Sequence, residues 1–401
     1  MSDVVVIGAG QAAASLVARL RSKGHEGKIT LIGEEPVPPY QRPPLSKDYL
    51  LGKMELERLF LRPEAFYAEN CIDLRTSDTA VSIDRADKTV IAGGEAISYD
   101  HCVLCTGSVP RRLPGAIGGE LEGVHVVRTL RDVDEMAPDC TEDKRVLVVG
   151  GGYIGLEAAA VCTKLGLKVT LVEAADRILQ RVAAPETSAW FRALHTARGV
   201  DLREGVGLKR LIGETRVTGA ELADGTVLDV DFVIVGVGIT PTTTLAEACG
   251  LEIDNGIAVN AQGQTSDPAI WAAGDCASFP QHGQRMRLES VGNAIDMGEL
   301  VADNIMGAGR DYIAKPWFWS DQYDVKLQIA GLNAGYDRIV VREDGEARSH
   351  WYYAGDTLLA VDAMNDSRSY MVGKRLIEAG KSPDPAAVAD PETNLKALLK
   401  A

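Results

Sequence analysis

Two glycine-rich segments each follow a short apolar run and open a helix-like stretch. Residues 8–13 (GAGQAA) follow the run 4–7, and residues 150–155 (GGGYIG) follow the run 145–149. Glycine lets the backbone approach a pyrophosphate closely, and a helix N-terminus supplies unpaired N–H groups and a favourable dipole. The two fingerprints therefore predict two dinucleotide sites, one for a bound flavin and one for a nicotinamide that reduces it.

An acidic residue follows the next strand-like run after each fingerprint. Glu34 lies 24 residues after Gly10. Glu173 lies 21 residues after Gly152. A carboxylate near this offset accepts hydrogen bonds from the ribose hydroxyls and repels an added 2′-phosphate, so the second site is predicted to favour NADH over NADPH. Arg177 lies nearby and is the weaker signal, because Glu173 occupies the end of the strand itself.

The composition is that of an ordinary soluble enzyme of two or three domains. The 401 residues are 46% apolar, which is ample for packed cores. The net charge of -15 argues against a nucleic-acid surface, because phosphate binding needs clustered Lys and Arg. No apolar run is long enough to span a membrane, and the early strand-like run leaves no room for a secretory signal. We therefore expect a cytoplasmic protein that binds neither nucleic acid nor membrane.

The seven cysteines are scattered and odd in number, so they predict neither a disulfide framework nor a metal site. Cys102 and Cys105 form a C-x-x-C, but they lie in a strand-like run, where residues three apart point to opposite faces. Both are expected to pack as small apolar residues rather than to act as a redox pair.

Strand-like and helix-like runs divide the chain into three predicted domains. The first takes residues 1–112 and 240–315, and the second, residues 113–239, is inserted within it. Residues 316–401 alternate between apolar and polar positions and then become helix-compatible, which predicts a small α+β domain. The proline-rich loop 36–47 is expected to be rigid and extended, and to hold side chains over the ligand of the first fingerprint.

Further motifs are spread along nearly the whole chain. They are RPPLSK at 42–47, TGSVPR at 106–111, RTL at 128–130, GD at 274–275, ESV at 289–291 and PWFWSDQ at 316–322. Together with the fingerprints, they resemble the NADH-dependent ferredoxin reductases of oxygenase systems, the putidaredoxin reductase and biphenyl dioxygenase reductase type. The resemblance implies an α/β fold with two Rossmann-like dinucleotide-binding domains, for FAD and NADH, in a glutathione-reductase-like arrangement, plus a small α+β C-terminal domain.

The resemblance also implies which residues bind FAD. They are Gly8, Gly10, Ala12, Ala13, Glu34, Arg42, Lys47, Val81, Arg128, Asp275, Val291 and Trp319. The first four would line the pyrophosphate, Glu34 would bind the adenosine ribose, and Val81 would contact the adenine through its backbone. Asp275 would bond the ribityl chain or the phosphate region. Val291 would offer its backbone N–H to the flavin ring at a helix start, although Gly292 replaces the proline of many relatives and leaves this turn less rigid.

A second set of residues is implied for NADH. It consists of Gly150, Gly152, Tyr153, Ile154, Gly155, Glu157, Glu173 and Gly238. The two predicted catalytic residues are Glu157, which would reach the nicotinamide, and Lys47, which would pair with it near the reactive edge of the flavin. Both would act by positioning and charge balance. The alternative is that Glu157 is a solvated helix residue and Lys47 a charge on a loop.

Aromatic residues near both sites have two interpretations. Tyr153 would either shield the flavin until NADH arrives or simply pack. Trp317 and Trp319 are two residues apart, so on an extended segment they face the same side. Packing is the expected role of Trp317, whereas the resemblance favours a place near the flavin for Trp319.

The chemistry implied is hydride transfer from NADH to FAD, followed by single-electron transfers to a small, acidic two-iron two-sulfur ferredoxin that feeds a cytochrome monooxygenase or a dioxygenase. Such a partner needs a local basic patch on this acidic chain, for which Arg310 and Lys315 are candidates. The protein itself is expected to be a monomer or a weak dimer.

Residues 33–70 contain no cysteine, whereas disulfide reductases carry a C-x4-C in this region and NADH peroxidases and oxidases a single cysteine. Reduced flavin is therefore expected to pass electrons to an external one-electron acceptor. The alternatives are an NADH-binding flavoprotein redox sensor of the apoptosis-inducing-factor type and an NADH oxidase.

Overall fold

The computed structural model describes residues 2–281 and 283–400, which form two compact units. Unit 1 consists of the chain up to Arg42, Met54–Val109 and Ile239–Pro316. Unit 2 consists of Pro43–Lys53, Pro110–Gly238 and the chain from Trp317 onward. The second and third predicted domains lie together in unit 2, so the division into three domains stays a prediction.

Unit 1 is built on a parallel five-stranded sheet. Its central strand, Val4–Ile7, pairs with Ile29–Ile32 on one side and with His101–Leu104 on the other. A strand covered on both faces needs a continuous apolar run, which the sequence VVVI supplies. The outer strands are Ile72–Arg75 and Ile270–Ala272. The first fingerprint therefore leaves the sheet at the carboxyl end of its central strand.

The first fingerprint helix, Gln11–Ser22, lies against a second helix of unit 1, Val291–Ile305. Its fully buried side chains are spaced so that they share one face of a helix: Ala13, Leu16, Val17 and Leu20. At the contact, a Cβ on Gly298 would lie 2.4 Å from the backbone oxygen of Ala12. Glycine is needed at this position because two helix backbones meet there.

The remaining elements of unit 1 are short. One antiparallel sheet contains Ala80–Asp84, Thr89–Ala92 and Glu95–Ser98. A second small sheet contains Ile257–Ala258, Ala277–Gln281 and Gln284–Met286. The short helices are Leu56–Leu59, Glu64–Glu69 and Thr244–Ala248. The strands Ser108–Pro110 and Ile239–Pro241 lie where the chain passes from one unit to the other.

Unit 2 contains a second parallel sheet with the same local plan. Its strands, in spatial order, are Asp201–Glu204, Lys168–Glu173, Arg145–Val149, Phe232–Val235 and Val124–His125. The second fingerprint follows the central strand Arg145–Val149 and leads into the second fingerprint helix, Tyr153–Lys164. A hairpin with Asp224-Gly225 in its turn joins the antiparallel strands Val217–Leu222 and Val227–Asp229, and Leu208–Gly213 completes that sheet.

Unit 2 also contains an antiparallel five-stranded sheet near the C-terminus. Its strands, in spatial order, are Trp317–Gln322, Val325–Gly331, Thr357–Met364, Ala347–Ala354 and Arg338–Asp344. The remaining helical segments of the unit are Gly115–Ile117, Leu130–Met136, Ala137–Asp139, Pro185–Ala197, Ser367–Glu378, Pro385–Ala389 and Leu395–Leu399. From residue 316 onward, strands are followed by helices, which is the α+β arrangement that the sequence predicts.

The proline-rich loop is not extended throughout, so that expectation is wrong for its last part. A wide helical turn spans Leu45–Tyr49, and the backbone of Lys47 departs from helical values with φ -124° and ψ -109°. Pro44 supports the turn, because its φ of -74° suits a helix start and its oxygen accepts from Lys47 N and Tyr49 N at 3.0 and 3.1 Å. The segment Pro43–Lys53 groups with unit 2, whereas the predicted division placed it with the first domain.

Cys102 and Cys105 pack in the core, as the sequence predicts. All seven are free thiols, and Cys102 and Cys105 are 0% and 6% exposed in the core of unit 1. Cys102 lies within the strand His101–Leu104. The C-x-x-C is therefore a core feature.

Two features are absent from residues 2–281 and 283–400. No group of three or more His, Cys, Asp or Glu side chains could hold a metal ion. No helix combines the length and apolarity needed to cross a bilayer.

The contact at Gly298 gives a stability prediction. Gly298→Ala places a methyl group against Ala12 O, and we expect it to lower the free energy of unfolding by about 1–3 kcal/mol through overpacking. Helix propensity alone would raise stability by about 1 kcal/mol, so the sign of the change is decisive. Chemical denaturation followed by circular dichroism measures it, with Asp296→Ala, at an exposed position of the same helix, as the control. A stabilised Gly298→Ala protein would show that the helices do not meet there.

Candidate nucleotide-binding and redox site

The first fingerprint forms a tight turn with open space in front of its helix. Gly8 has φ +100°, and a Cβ there would lie 2.3 Å from Cys105 O. A Cβ on Gly10 would meet nothing within 4 Å among the described residues. The helix that begins at Gln11 has no side-chain cap and no acidic residue in its first turn. Its leading N–H groups are therefore open to an anion, which fits a pyrophosphate.

The second fingerprint has the same geometry. Gly150 has φ +107°, and a Cβ there would lie 2.4 Å from Gly236 O. A Cβ on Gly152 would again meet nothing within 4 Å among the described residues, and the helix from Tyr153 lacks both a side-chain cap and an acidic first turn. At Gly155, a Cβ would lie 2.0 Å from Gly150 O, so glycine lets helix and turn pack closely. This turn fits a second pyrophosphate.

The side chains predicted near the flavin adenosine lie in unit 1. Glu34 is exposed just after the strand Ile29–Ile32. Its neighbour Glu35, which the sequence reasoning did not select, accepts hydrogen bonds from Tyr40 OH at 2.6 Å and from Arg42 Nη2 at 2.7 Å. Arg42 is thus held by a carboxylate beside the predicted ribose ligand. Val81 is 64% exposed and lies at an irregularity in the strand Ala80–Asp84, where it has no register partner on the neighbouring strand.

Two further predicted FAD residues lie at turns of unit 1. Asp275 follows Gly274, whose φ is +84°, and its Oδ2 accepts from Ser108 Oγ at 2.9 Å. Val291 is the first residue of the helix Val291–Ile305. The Ser290 side chain caps Asn293 N at 3.2 Å and leaves the N–H of Val291 at the open helix start. Such a donor can stabilise negative charge on a ring placed there.

Three predicted FAD residues, Lys47, Arg128 and Trp319, belong to unit 2. The backbone N–H of Arg128 donates to Asp132 Oδ2 at 3.0 Å, where the helix Leu130–Met136 begins. The rings of Trp319 and Trp317 stack with centroids 5.5 Å apart and planes 19° apart, so the two side chains share a face as the spacing predicts.

The two predicted catalytic residues form an ion pair inside unit 2. Lys47 Nζ lies 3.0 Å from Glu157 Oε1 and 3.3 Å from Asp321 Oδ2. Ser320 Oγ donates to the same Glu157 oxygen at 2.7 Å. Glu157 is 4% exposed, so the interpretation of a solvated helix residue is wrong. Burial raises the pKa of the Glu157 carboxyl, while Lys47 and Ser320 act in the opposite direction.

Glu173, the acidic residue that follows the second fingerprint, accepts hydrogen bonds from the backbone on both sides of it. Glu173 accepts from Gly151 N at 2.7 Å and from Ala175 N at 2.8 Å. Each carboxylate oxygen has more than one acceptor direction, so a ribose hydroxyl remains compatible with these bonds. Arg177 donates to Ser188 Oγ and Gln180 O within its own unit, which leaves Glu173 as the stronger candidate for reading the ribose.

Two of the remaining predicted NADH residues, Tyr153 and Ile154, begin the second fingerprint helix, and the third, Gly238, follows the strand Phe232–Val235. The Tyr153 ring lies 4.9 Å from that of Phe318, and its hydroxyl is buried with no hydrogen-bond partner in the described part of the chain. The next residue, Ile154, is 45% exposed. Gly238 has φ +103°, which marks a turn that favours glycine.

The family models match both parts of the chain. Residues 2–298 match the pyridine nucleotide-disulphide oxidoreductase model. The chain belongs to this family. Residues 317–399 match a second model, described as Reductase C-terminal. The predicted fold class and the two predicted cofactors, FAD and a nicotinamide dinucleotide, are thereby confirmed.

Two curated relatives and one solved structure match the chain over almost its whole length. A ferredoxin--NAD(P)(+) reductase of Sphingomonas is 42% identical and covers 99% of this chain and 97% of the relative. Putidaredoxin reductase of Pseudomonas putida is 41% identical over 100% of this chain and 97% of the relative. The crystal structure of a covalent putidaredoxin reductase–putidaredoxin complex matches with a TM-score of 0.96 and 40% identity, over 100% of this chain and 98% of that one. The resemblance to ferredoxin reductases of oxygenase systems is confirmed, and the chain is an oxidoreductase.

The two glycines that face open space predict separable effects. Gly10→Ala would place a methyl group where the FAD pyrophosphate approaches, so we expect loss of bound flavin with little loss of apoprotein stability. Gly152→Ala should instead keep the flavin and weaken NADH binding about tenfold or more, which corresponds to about 1.4 kcal/mol. Flavin content per chain and NADH titration of the purified variants measure these effects, and each variant is the control for the other. Equal loss of flavin in both would contradict the assignment.

Proposed function

We propose that this chain is an NADH-dependent reductase that passes electrons to a small, acidic two-iron two-sulfur ferredoxin of a monooxygenase or dioxygenase system. Bound FAD would supply the chemistry, since a flavin accepts two electrons as hydride and releases them singly. The observation that supports this best is the pair of uncapped fingerprint helices, one in each unit, together with the buried Lys47–Glu157 pair. A cytoplasmic location and a monomeric or weakly dimeric state are part of the proposal.

Lys47 and Glu157 serve the reaction by holding charge in place. Each neutralises the other, because a buried charge is tolerated only beside an opposite one. Ser320 supplies a second donor to Glu157, and Asp321 supplies a second carboxylate to Lys47. These contacts fix the Lys47 ammonium at a defined position, as positioning catalysis requires.

The state and positions of the cysteines favour an electron acceptor outside this protein. All seven are free, and the span 33–70, where disulfide reductases carry their redox-active thiols, has none. A partner that is itself acidic would be attracted by local basic groups. Arg310 and Lys315 are both exposed and are the candidates, although Arg310 Nη1 is already 3.1 Å from Asp303 Oδ2.

Stopped-flow spectroscopy of the purified flavoprotein tests this function. Anaerobic mixing with NADH should bleach the flavin absorbance, and a second mixing with two-iron two-sulfur ferredoxins should restore it. Steady-state reduction of cytochrome c by NADH should require added ferredoxin. A long-lived NADH-reduced protein that no ferredoxin reoxidises would favour the redox sensor, and rapid oxygen consumption without ferredoxin would favour the oxidase. Failure of both NADH and NADPH to bleach the flavin would overturn the proposal.

The position of Glu173 gives a prediction about coenzyme preference. Glu173→Gln removes the negative charge at the strand end, and we expect the ratio of flavin-reduction efficiencies with NADH and NADPH to fall about tenfold, equivalent to about 1.4 kcal/mol. The ratio is the proper readout, because the side chain also braces the turn and loosening it would affect both coenzymes. An unchanged ratio would place the discrimination elsewhere, and Arg177→Ala would then be the next variant to measure.

A further inference from the structure

The Glu157 carboxylate is the end of a continuous chain of hydrogen bonds inside unit 2. Ser320 Oγ lies 2.7 Å from Glu157 Oε1, and Gln322 Nε2 lies 3.1 Å from Ser320 Oγ. Gln322 Oε1 then lies 2.8 Å from His195 Nε2. The last bond joins His195 Nδ1 to Tyr323 OH at 3.1 Å. Three of these side chains, Ser320, Gln322 and His195, are completely buried.

The strand and helix geometry explains why these side chains meet. Ser320 and Gln322 are two residues apart on the strand Trp317–Gln322, so their side chains leave the same face of the sheet. Glu157 comes from the second fingerprint helix, and His195 comes from the helix Pro185–Ala197. The strand therefore connects the ion pair to a second helix.

When Glu157 is charged, the donors and acceptors of these hydrogen bonds can be arranged in only one direction. A carboxylate can only accept, so the Ser320 hydroxyl must donate to it. The Gln322 amide then donates to Ser320 and accepts from His195 Nε2–H, which leaves His195 Nδ1 to accept from Tyr323. The reverse direction would require a protonated Glu157, and Lys47 at 3.0 Å opposes that state.

The charged and titratable groups next to these hydrogen bonds are compatible with this direction of donation. Glu157 faces Lys47 and, more distantly, Asp321. Burial lowers the pKa of His195, so its ring is neutral and can accept at Nδ1. Arg198 lies over the Tyr323 ring, with its guanidinium carbon 5.1 Å from the ring centroid.

We propose that Gln322 and His195 are positioning residues, which lock the Ser320 hydroxyl onto Glu157 and so keep that carboxylate charged and aimed at Lys47. This inference rests on the proposed function, because it assigns them to the Lys47–Glu157 pair. Removing either side chain would let the Ser320 hydroxyl rotate away. A carboxylate that loses a hydrogen-bond donor takes up a proton more readily.

Infrared titration of the holoprotein is the first test, because it needs neither NADH nor turnover. The C=O band of protonated Glu157 is isolated as the difference from Glu157→Gln. In Gln322→Met, which has similar volume but no amide, we expect the titration midpoint to rise by about one pH unit. His195→Leu should shift it in the same direction. His195→Gln should keep the wild-type midpoint, because the amide N–H of the new glutamine can replace the Nε2–H of His195.

The pH dependence of flavin reduction by NADH is the second test. The acid side of the profile should move to higher pH with the same variants, while the rate at high pH should change little. Tyr353→Phe is the control, since it removes another tyrosine hydroxyl bond of unit 2, the 3.1 Å bond to Pro383 O, without touching the chain. It should lower thermal stability and leave the midpoint unchanged.

The outcomes separate this inference from the proposed function. Unshifted midpoints in Gln322→Met and His195→Leu would overturn the positioning role even if NADH reduces the flavin normally. A flavin that NADH does not reduce would overturn the proposed function, while the infrared midpoints would still test the hydrogen-bond chain. If Gln322→Met does not fold, the two His195 variants decide the matter.

Discussion

The Glu157 carboxylate lies almost completely out of water, and a charge in that position depends on Lys47 and Ser320. These groups come from three separate stretches of sequence: the turn Leu45–Tyr49, the second fingerprint helix and the strand Trp317–Gln322. Their meeting explains why a loop that follows unit 1 in sequence belongs to unit 2 in space. The local shape of unit 2 around the second fingerprint therefore depends on an ionic contact as well as on apolar packing.

The two fingerprint helices begin without a side-chain cap. Ser, Thr, Asp and Asn are the preferred caps of helix N-termini, and Ser290 and Thr129 cap two other helices of this chain. The helices that begin at Gln11 and Tyr153 have no such cap. Their orphan N–H groups are left for ligand oxygens, so these two starts are less well satisfied without a ligand than the capped ones.

Local sequence patterns were sufficient for much of the fold. The continuous apolar runs of the central strands and the glycines of the tight turns each have one dominant physical explanation, and the structure agrees with both. The turn Leu45–Tyr49 was not foreseen. Two consecutive prolines suggest an extended chain, but Pro44 has a φ that also suits a helix start, and tertiary contacts decided between the two.

The candidate site was only partly predictable for a related reason. The Lys47–Glu157 pairing was expected from motifs, because each residue sits at a fixed place beside a recognisable pattern. Ser320, Gln322 and His195 carry no such pattern. Their importance arises from a strand that meets two helices, and a single sequence does not reveal which of its polar residues will be buried together. The alternation of Ser320 and Gln322 within PWFWSDQ was the one available signal.

The interrupted path of unit 1 has a consequence for how the protein is made. The edge strand Ile270–Ala272 pairs with His101–Leu104, so most of unit 2 must be synthesised before that sheet can be completed. Until then, the growing chain would display an unpaired strand edge rich in apolar residues, a surface prone to mispairing. Contacts so distant in sequence also slow folding. The nascent chain is therefore most exposed to mispairing between the synthesis of Leu104 and that of Ala272.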